Sequence, residues 1–327
     1  MSFPISVVVP TYNRASLIGI TLDSILGQSH APAEVIVVDD GSTESMETAI
    51  RRFSGTVKYH RIENSGVCAA RNFGVSVAES PWIAFCDHDD LWTRDKLAKQ
   101  VALHEQAGIE YSFTNFRIVS DSGWMEQTKF DTAPPGFFND FESTPQGLIA
   151  RRPYYDDLLR YQPIFPSTVL MSKRFFEKVG GIRSDLGRNP SEDLEFTLRC
   201  LQHWPIGAIA EPVVGIHKHE SNYSGNNYLT ICGQIEILQL VLQTHTLSAR
   251  SQEHIAEQII KRSIDAAEEA FAQADFNGCQ ELLSRVPRVR MDPKTKLKLK
   301  IASCPKPIVA TLHALASHLS AFRGFRG

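Results

Sequence analysis

Trp82-Ile-Ala-Phe-Cys-Asp-His-Asp-Asp90 is a short apolar run that stops abruptly in three carboxylates and an imidazole. Two earlier segments are built the same way. Ile5-Ser-Val-Val-Val9 halts at Pro10-Thr-Tyr-Asn-Arg14, and Glu34-Val-Ile-Val-Val38 halts at Asp39-Asp-Gly-Ser42. Between them, residues 17, 18, 22, 25 and 26 are apolar at helical spacing, and residues 46–53 and 68–78 continue as helices around a further strand at 57–62 and a turn at Gly66. Strands that are apolar on both faces, alternating with helices, predict an α/β fold: a Rossmann-like, mostly parallel sheet with helices on both faces. In such sheets ligands gather beyond the strand C-termini. That edge here carries Thr11, Tyr12 and Asn13, then Asp39 and Asp40, then residues 87–90.

The 327 residues carry a net charge of -3, with 43% hydrophobic and 22% charged residues, which excludes a basic nucleic-acid binder and a disordered chain. The six cysteines form no C-x-x-C or Cys/His cluster, so neither a zinc site nor a disulfide framework is expected, and reduced thiols in a cytoplasmic protein are. No basic leader precedes the first strand and no apolar run reaches about 18 residues, so no signal peptide or membrane span is expected.

Residues 121–162 are rich in Pro, Gly, Asp and aromatics and read as loops and short pieces over a pocket. Residues 164–171 read as a strand, 173–179 as a helix stopped by Gly180-Gly181, 194–204 as a helix, and 206–214 as a strand. Beyond about residue 228 the pattern is helical only, which predicts a catalytic domain over 1–227 and a helical C-terminal region over 228–327. Residues 284–327 hold ten Lys/Arg against one acid. Their alternating Lys294, Lys296, Lys298 and Lys300 suit either an interfacial anchor on an anionic membrane or a helical subdomain with a solvated or subunit-facing basic side.

Asp87 and Asp89 offer hard oxygen ligands of the kind Mg²⁺ or Mn²⁺ needs when it bridges a diphosphate; alternatively the acids cap a helix starting near residue 93. Asp40 can accept from the imide N–H of a base with Asp39 in support, although Asp-Gly-Ser is also ordinary turn chemistry. Gly66-Val-Cys-Ala-Ala-Arg71-Asn72 opens a helix where Arg71 can meet a base or phosphate, or simply an acid. Glu192-Asp193 is either a general base with its neighbour or an acidic first turn. His219, with Asn222 and Ser224, is a metal or diphosphate ligand or a plain surface group.

Taken together, Pro10-Thr-Tyr-Asn-Arg14, Val37-Val-Asp-Asp-Gly-Ser42, Gly66-Val67 with Ala70-Arg-Asn72, Asp87-His-Asp-Asp90, Gly180-Gly181 and Glu192-Asp193 occur in the order and spacing of family 2 glycosyltransferases. Residues 3–225 resemble that inverting group, whose fold is termed GT-A. The resemblance implies a nucleotide-sugar donor, most often a UDP-sugar, lying across Pro10, Thr11, Tyr12, Arg14, Asp40, Arg71, Asp87 and His88. It implies Asp89 and His219 as ligands of Mn²⁺ or Mg²⁺, Asp193 as catalytic base, and Glu192 beside it in the acceptor site.

Processive relatives carry Gln-x-x-Arg-Trp and membrane helices. Leu201-Gln-His-Trp204 does not match, so transfer of single sugars to a glycan or lipid-linked acceptor in cell-surface polysaccharide synthesis is expected. The setting would be cytoplasmic, with peripheral contact at the inner face of the membrane and self-association left open. Two other classes compete. A silent nucleotide-binding scaffold is disfavoured by intact Asp87, Asp89 and Asp193, and a sugar nucleotidyltransferase by the absence of glycine from residues 10–14.

Overall fold

The computed structural model describes residues 3–120, 123–218 and 227–304. His219, Asn222, Ser224 and the apolar stretch after Lys306 lie outside them. The chain divides into two compact units, Met1–Asn222 and Tyr223–Gly327.

In the first unit, β1 (Ile5–Thr11), α1 (Ile18–Leu26), β2 (Glu34–Asp39), α2 (Met46–Ile50), β3 (Val57–Arg61), α3 (Val67–Val77) and β4 (Trp82–Phe85) follow the expected alternation. Their strands lie in the order β3-β2-β1-β4, all parallel. Every residue of β1 and β2 is buried, because helices cover both faces. On one face Val7, Val9, Val35 and Val37 pack with Ile18, Leu22, Ile25, Met46 and Ile50. On the other, Val8 and Val38 meet α3 so closely that a Cβ on Gly74 would stand 2.3 Å from Val8 Cγ1. Gly74 is therefore the residue that lets α3 settle on the sheet.

Beyond β4 the sheet changes character. The remaining elements are β5 (Leu91–Trp92), α4 (Lys96–Ala107), β6 (Tyr111–Ser120), β7 (Gly123–Thr128), β8 (Phe141–Thr144), β9 (Gly147–Ala150), α5 (Tyr155–Arg160), β10 (Leu170–Ser172), α6 (Lys173–Lys178), α7 (Glu192–Cys200) and β11 (Ile206–His217). Strand β10 runs antiparallel to both β4 and β6, β6 is parallel to β11, and the hairpin of β8 and β9 adds an antiparallel edge. The parallel half is thus four strands wide, and the other half is mixed.

Residues 121–162 hold more structure than their composition suggests: β7, the hairpin and α5. Aromatic rings supply the cohesion, with Phe130 4.4 Å from Phe138, Phe137 5.0 Å from Tyr161, and Phe141 4.7 Å from Tyr154 between centroids. Such contacts join residues distant in sequence and leave no periodic trace. The strand expected over 164–171 shrinks to β10, since Pro166 lacks a backbone donor and starts a 3-10 turn over Pro166–Thr168. Ser172 caps α6 by accepting from Phe175 N–H at 2.9 Å, and Gly180 and Gly181, at φ 85° and 67°, end it. Helix α7 begins two residues earlier than expected and ends at Cys200.

The second unit is helical: α8 (Asn227–Thr244), α9 (Ala249–Ala272), α10 (Phe276–Ser284) and α11 (Pro293–Ala302). Ala267, Ala270, Phe271, Cys279, Leu283, Met291 and Ile301 make its core. Side-chain caps begin three of the helices: Ser248 accepts from Ser251 N–H, Asp275 from Gly278 N–H, and Asp292 from Thr295 N–H. In α11 the alternating lysines fall on opposite sides, Lys294 with Lys298 and Lys296 with Lys300, so this helix has no single basic face. Lys298 pairs with Glu268 at 2.7 Å. No helix among the described residues is long and apolar enough to cross a membrane.

Candidate active site

The expected site residues from three separate motifs meet at Arg71. Its guanidinium, on α3 and only 3% exposed, donates from Nη2 to Asp87 Oδ1 at 2.7 Å and from Nη1 to Glu192 Oε1 at 2.8 Å. One buried cation therefore ties the end of β4 to the first turn of α7, whose Glu192 lies 121 positions beyond Arg71 in sequence. The pair geometry is what makes burial of these charges tolerable, since an isolated charge there would cost several kcal/mol, order of magnitude. Arg71 thus forms the ion pair that its sequence allowed, and the acids it meets are themselves candidate site residues.

Asp193 follows Glu192 and faces a cavity lined by Arg71, Phe85, Tyr111, Met171 and Phe196. Burial among these apolar groups, then the charge of Glu192, pushes its carboxyl up to about 7, with Arg71 opposing. That is the range in which a carboxylate works as a general base near neutral pH.

At the other end of the motif set, Asp39 and Asp40 divide their tasks. Asp39 is fully buried, accepting from Ser42 N–H at 2.8 Å and Tyr59 O–H at 2.7 Å. Asp40 accepts from Ser65 N–H at 2.7 Å and Gly66 N–H at 2.9 Å, while its own N–H donates to Thr11 O at 2.9 Å. Gly66 sits at φ 90°, where a Cβ would come within 2.7 Å of Gly187 O, so this position requires glycine. The carboxylate of Asp40 thereby sets the loop that leads into α3 and Arg71.

The loop after β1 is fastened to the same region. Asn13, at φ 51°, donates its N–H to Ser42 Oγ at 2.9 Å and accepts from Thr43 N–H at 2.8 Å. Arg14 Nη1 donates to Asn13 O at 3.1 Å, Tyr12 is 44% exposed, and Thr11 Oγ1 is buried with no partner. Pro10 O lies 3.3 Å from His88 Nδ1, which joins the first loop to residues 87–90.

Within 87–90 the acids differ in role. Asp90 is buried and accepts from Ser167 O–H and from His217 N–H at 3.0 Å, and Ser167 Oγ accepts from Asp87 N–H at 2.9 Å. Asp90 is a structural tie. Asp87 is held by Arg71, and Asp89 is half-buried with Oδ2 4.0 Å from His88 Nε2. Among the described residues no three His, Cys, Asp or Glu side chains converge as a metal-holding group. His219 lies outside those residues.

Sequence reasoning missed the support behind this loop. Lys96 is completely buried, with Nζ 3.8 Å from the centroid of the Trp92 ring, and burial lowers its pKa to about 7. Trp92 Nε1 donates to Ser167 O at 3.0 Å. A lysine in the first turn of an amphipathic helix gives no sign of burial, because its partners arrive from β5 and the turn before β10.

A buried bridge thus joins the strand-end acids to the helix-start acid pair at the C-terminal edge of this sheet. Residues 6–156 match the family model described as Glycosyl transferase family 2. Among similar curated proteins, the putative teichuronic acid biosynthesis glycosyltransferase TuaG of Bacillus subtilis is 32% identical over 183 residues, 55% of this chain and 65% of that protein. The Escherichia coli UDP-Glc:alpha-D-GlcNAc-diphosphoundecaprenol beta-1,3-glucosyltransferase WfgD is 30% identical over 120 residues, 36% of this chain and 47% of that one. An uncharacterized glycosyltransferase of Rickettsia conorii, RC0461, is 36% identical over 121 residues, 36% of this chain. The matched stretch spans only 20% of that protein's length, and less than two thirds of each of these relatives. Among solved structures, S. aureus TarS 1-349 in complex with UDP-GlcNAc superposes with a TM-score of 0.62 at 18% identity, covering 87% of this chain and 82% of that one. The chain shares the fold of TarS.

Proposed function

We propose that this chain transfers a sugar, one residue at a time and with inversion, from a UDP-sugar to an acceptor hydroxyl. The observation that carries the reading is Arg71 bridging Asp87 and Glu192 beside an Asp193 carboxyl at about 7. A donor lying over Pro10, Thr11, Tyr12, Arg14, Asp40, Asp87 and His88 would place its reacting carbon between the strand ends and α7. Asp193 would take the proton of the attacking hydroxyl, and Arg71 would hold Glu192 fixed beside it. A TarS structure solved with UDP-GlcNAc and an E. coli relative named for UDP-Glc and a diphosphoundecaprenol acceptor support a UDP-sugar donor and a lipid-linked acceptor.

Mg²⁺ or Mn²⁺ fits the donor set: such ions are held by one or two carboxylates together with substrate phosphates, and Asp89 is the half-buried acid not committed to Arg71. Asp89, with His219, would hold the ion, which when bound neutralises charge on the departing diphosphate. Cell-surface polysaccharide synthesis at the cytoplasmic face of the membrane is the setting we propose.

The test is release of nucleoside diphosphate from UDP-, GDP- and dTDP-sugars with Mn²⁺ or Mg²⁺, for wild type and Asp89→Ala. Metal-dependent turnover of one donor that disappears in the variant is expected. Silence across the panel, together with no nucleotide binding by calorimetry, would overturn the proposal.

A further inference from the structure

The most exposed large apolar side chain among the described residues stands in the second unit: Val289, 88% exposed. It lies between Arg288 and Arg290 in a 3-10 turn that joins α10 to α11, closed by Arg290 N–H donating to Pro287 O at 2.8 Å. On either side the chain is anchored in the core of the unit, by Val286 before the turn and by Met291 after it. With both anchors buried and only a short turn between them, Val289 is held outward. An apolar side chain fixed in water is a standing cost unless a surface covers it.

The helix that follows repeats the combination. In α11 Thr295, Ile301 and Ala302 turn inward, while Pro293, Lys296, Leu297 and Lys300 are exposed. Their spacing of i, i+3, i+4 and i+7 puts those four on one outward stripe. Leu297, 56% exposed, therefore stands beside Lys296 and Lys300, while Lys298 turns aside to pair with Glu268. The remaining cations are mostly unengaged. Arg285 pairs with Glu281, Arg290 reaches Glu257 only at 3.6 Å, and Arg288, Lys294, Lys296 and Lys300 form no ion pair among the described residues. Asp292 is the one acid between residues 285 and 300, and it caps α11 by accepting from Thr295 N–H at 2.6 Å.

Apolar tips set among unpaired cations match a bilayer with anionic headgroups, whose phosphates meet the cations while the acyl boundary takes up the apolar side chains. A nucleic acid would answer the cations and leave Val289 and Leu297 in water. We propose that the turn over 287–290 and the outward stripe of α11 form a docking surface for an anionic lipid bilayer. It rests on the membrane setting of the transferase reading above and supplies the residues for it.

The experiment is co-sedimentation of the full chain with vesicles of phosphatidylcholine containing about 30% phosphatidylglycerol, beside vesicles of phosphatidylcholine alone. Binding to the anionic vesicles only, lost at about 0.5 M salt, is expected. The double variant Lys296→Gln, Lys300→Gln should weaken it about tenfold or more, Arg288→Gln about fivefold, and Val289→Ser or Leu297→Ser several-fold. Arg51→Gln removes the same charge from the first unit and should leave binding within about twofold. All six side chains are exposed, so the variants keep the fold. No sedimentation of the wild type with anionic vesicles at low salt would overturn the proposal. Binding that Arg51→Gln weakens as much as Arg288→Gln would overturn it by reducing the effect to net charge, and so would binding indifferent to both serine variants. Self-association that Val289→Ser abolishes, with vesicles left unbound, would overturn it by assigning the surface to a second copy of this chain. Vesicle binding is read without donor or turnover: sedimentation from a chain silent toward every nucleotide-sugar refutes the transferase reading and leaves the docking surface, and turnover without sedimentation does the reverse.

Discussion

Replacing Asp193 by Asn should abolish transfer while making the protein more stable, and the gain should depend on pH in a defined way. In the folded chain the carboxyl titrates at about 7, against the ordinary 3.8. Between those values the native state holds a proton that the unfolded chain has lost, so stability falls as pH rises from about 4 to about 7 and is level beyond. Asn mimics the protonated acid and escapes that loss. At 1.36 kcal/mol per unit the displacement caps the gain at roughly 4 kcal/mol. Partial solvent access reduces this to about 1–2 kcal/mol, or roughly 3–6 °C in melting temperature. Thermal denaturation of both proteins at pH 4, 6 and 8 would show no difference at pH 4, an intermediate one at pH 6, and the full one at pH 8. The rate of nucleoside diphosphate release by wild type should rise through about pH 7, and the variant should lose about 10²–10⁴-fold. A difference that is equal at pH 4 and pH 8, or a variant that keeps its turnover, would refute both the buried-carboxyl argument and the base assignment.

Gly74→Ala gains up to about 1 kcal/mol of helix propensity but drives a methyl into Val8, so a net loss of about 1–3 kcal/mol is expected in a urea titration; an unchanged midpoint would mean α3 has slack against the sheet. Arg71→Met strands the carboxylates of Asp87 and Glu192, and a loss of about 2–4 kcal/mol together with loss of nucleotide affinity should follow, read by denaturation and calorimetry. Cys68, Cys86, Cys200 and Cys279 are buried, and burial raises the Cys68 thiol to about 12, so an aromatic disulfide reagent should titrate at most Cys232 and Cys304 before denaturant is added. More than two rapid thiols in the native chain would contradict that burial.

The parallel half of the sheet was legible because its strands are buried on both sides: Ile36, Val37 and Val38 cannot alternate with polar residues when helices lie above and below. The mixed half was not. Tyr111-Ser-Phe-Thr-Asn-Phe-Arg-Ile-Val-Ser120 has polar groups inside, and Ser112 and Asn115 satisfy them through Gln100, His104, Thr128 and Ala210, partners that hydropathy does not reveal. Residues 121–162 escaped for a related reason, since an aromatic cluster has no period.

At the site, local chemistry marked the candidates, because carboxylates and glycines at strand ends are legible one motif at a time. Asp39 and Asp40 are adjacent and chemically identical, yet one is sealed beneath Tyr59 and the other organises Ser65 and Gly66. Only packing distinguishes them. The order of the motifs along the chain pointed to the family, and no long-range contact was needed for that. Which acid each cation meets and which carboxyl is lifted to about 7 depend on desolvation and on distances between residues far apart in sequence. Those quantities come into being only when the strands are laid side by side.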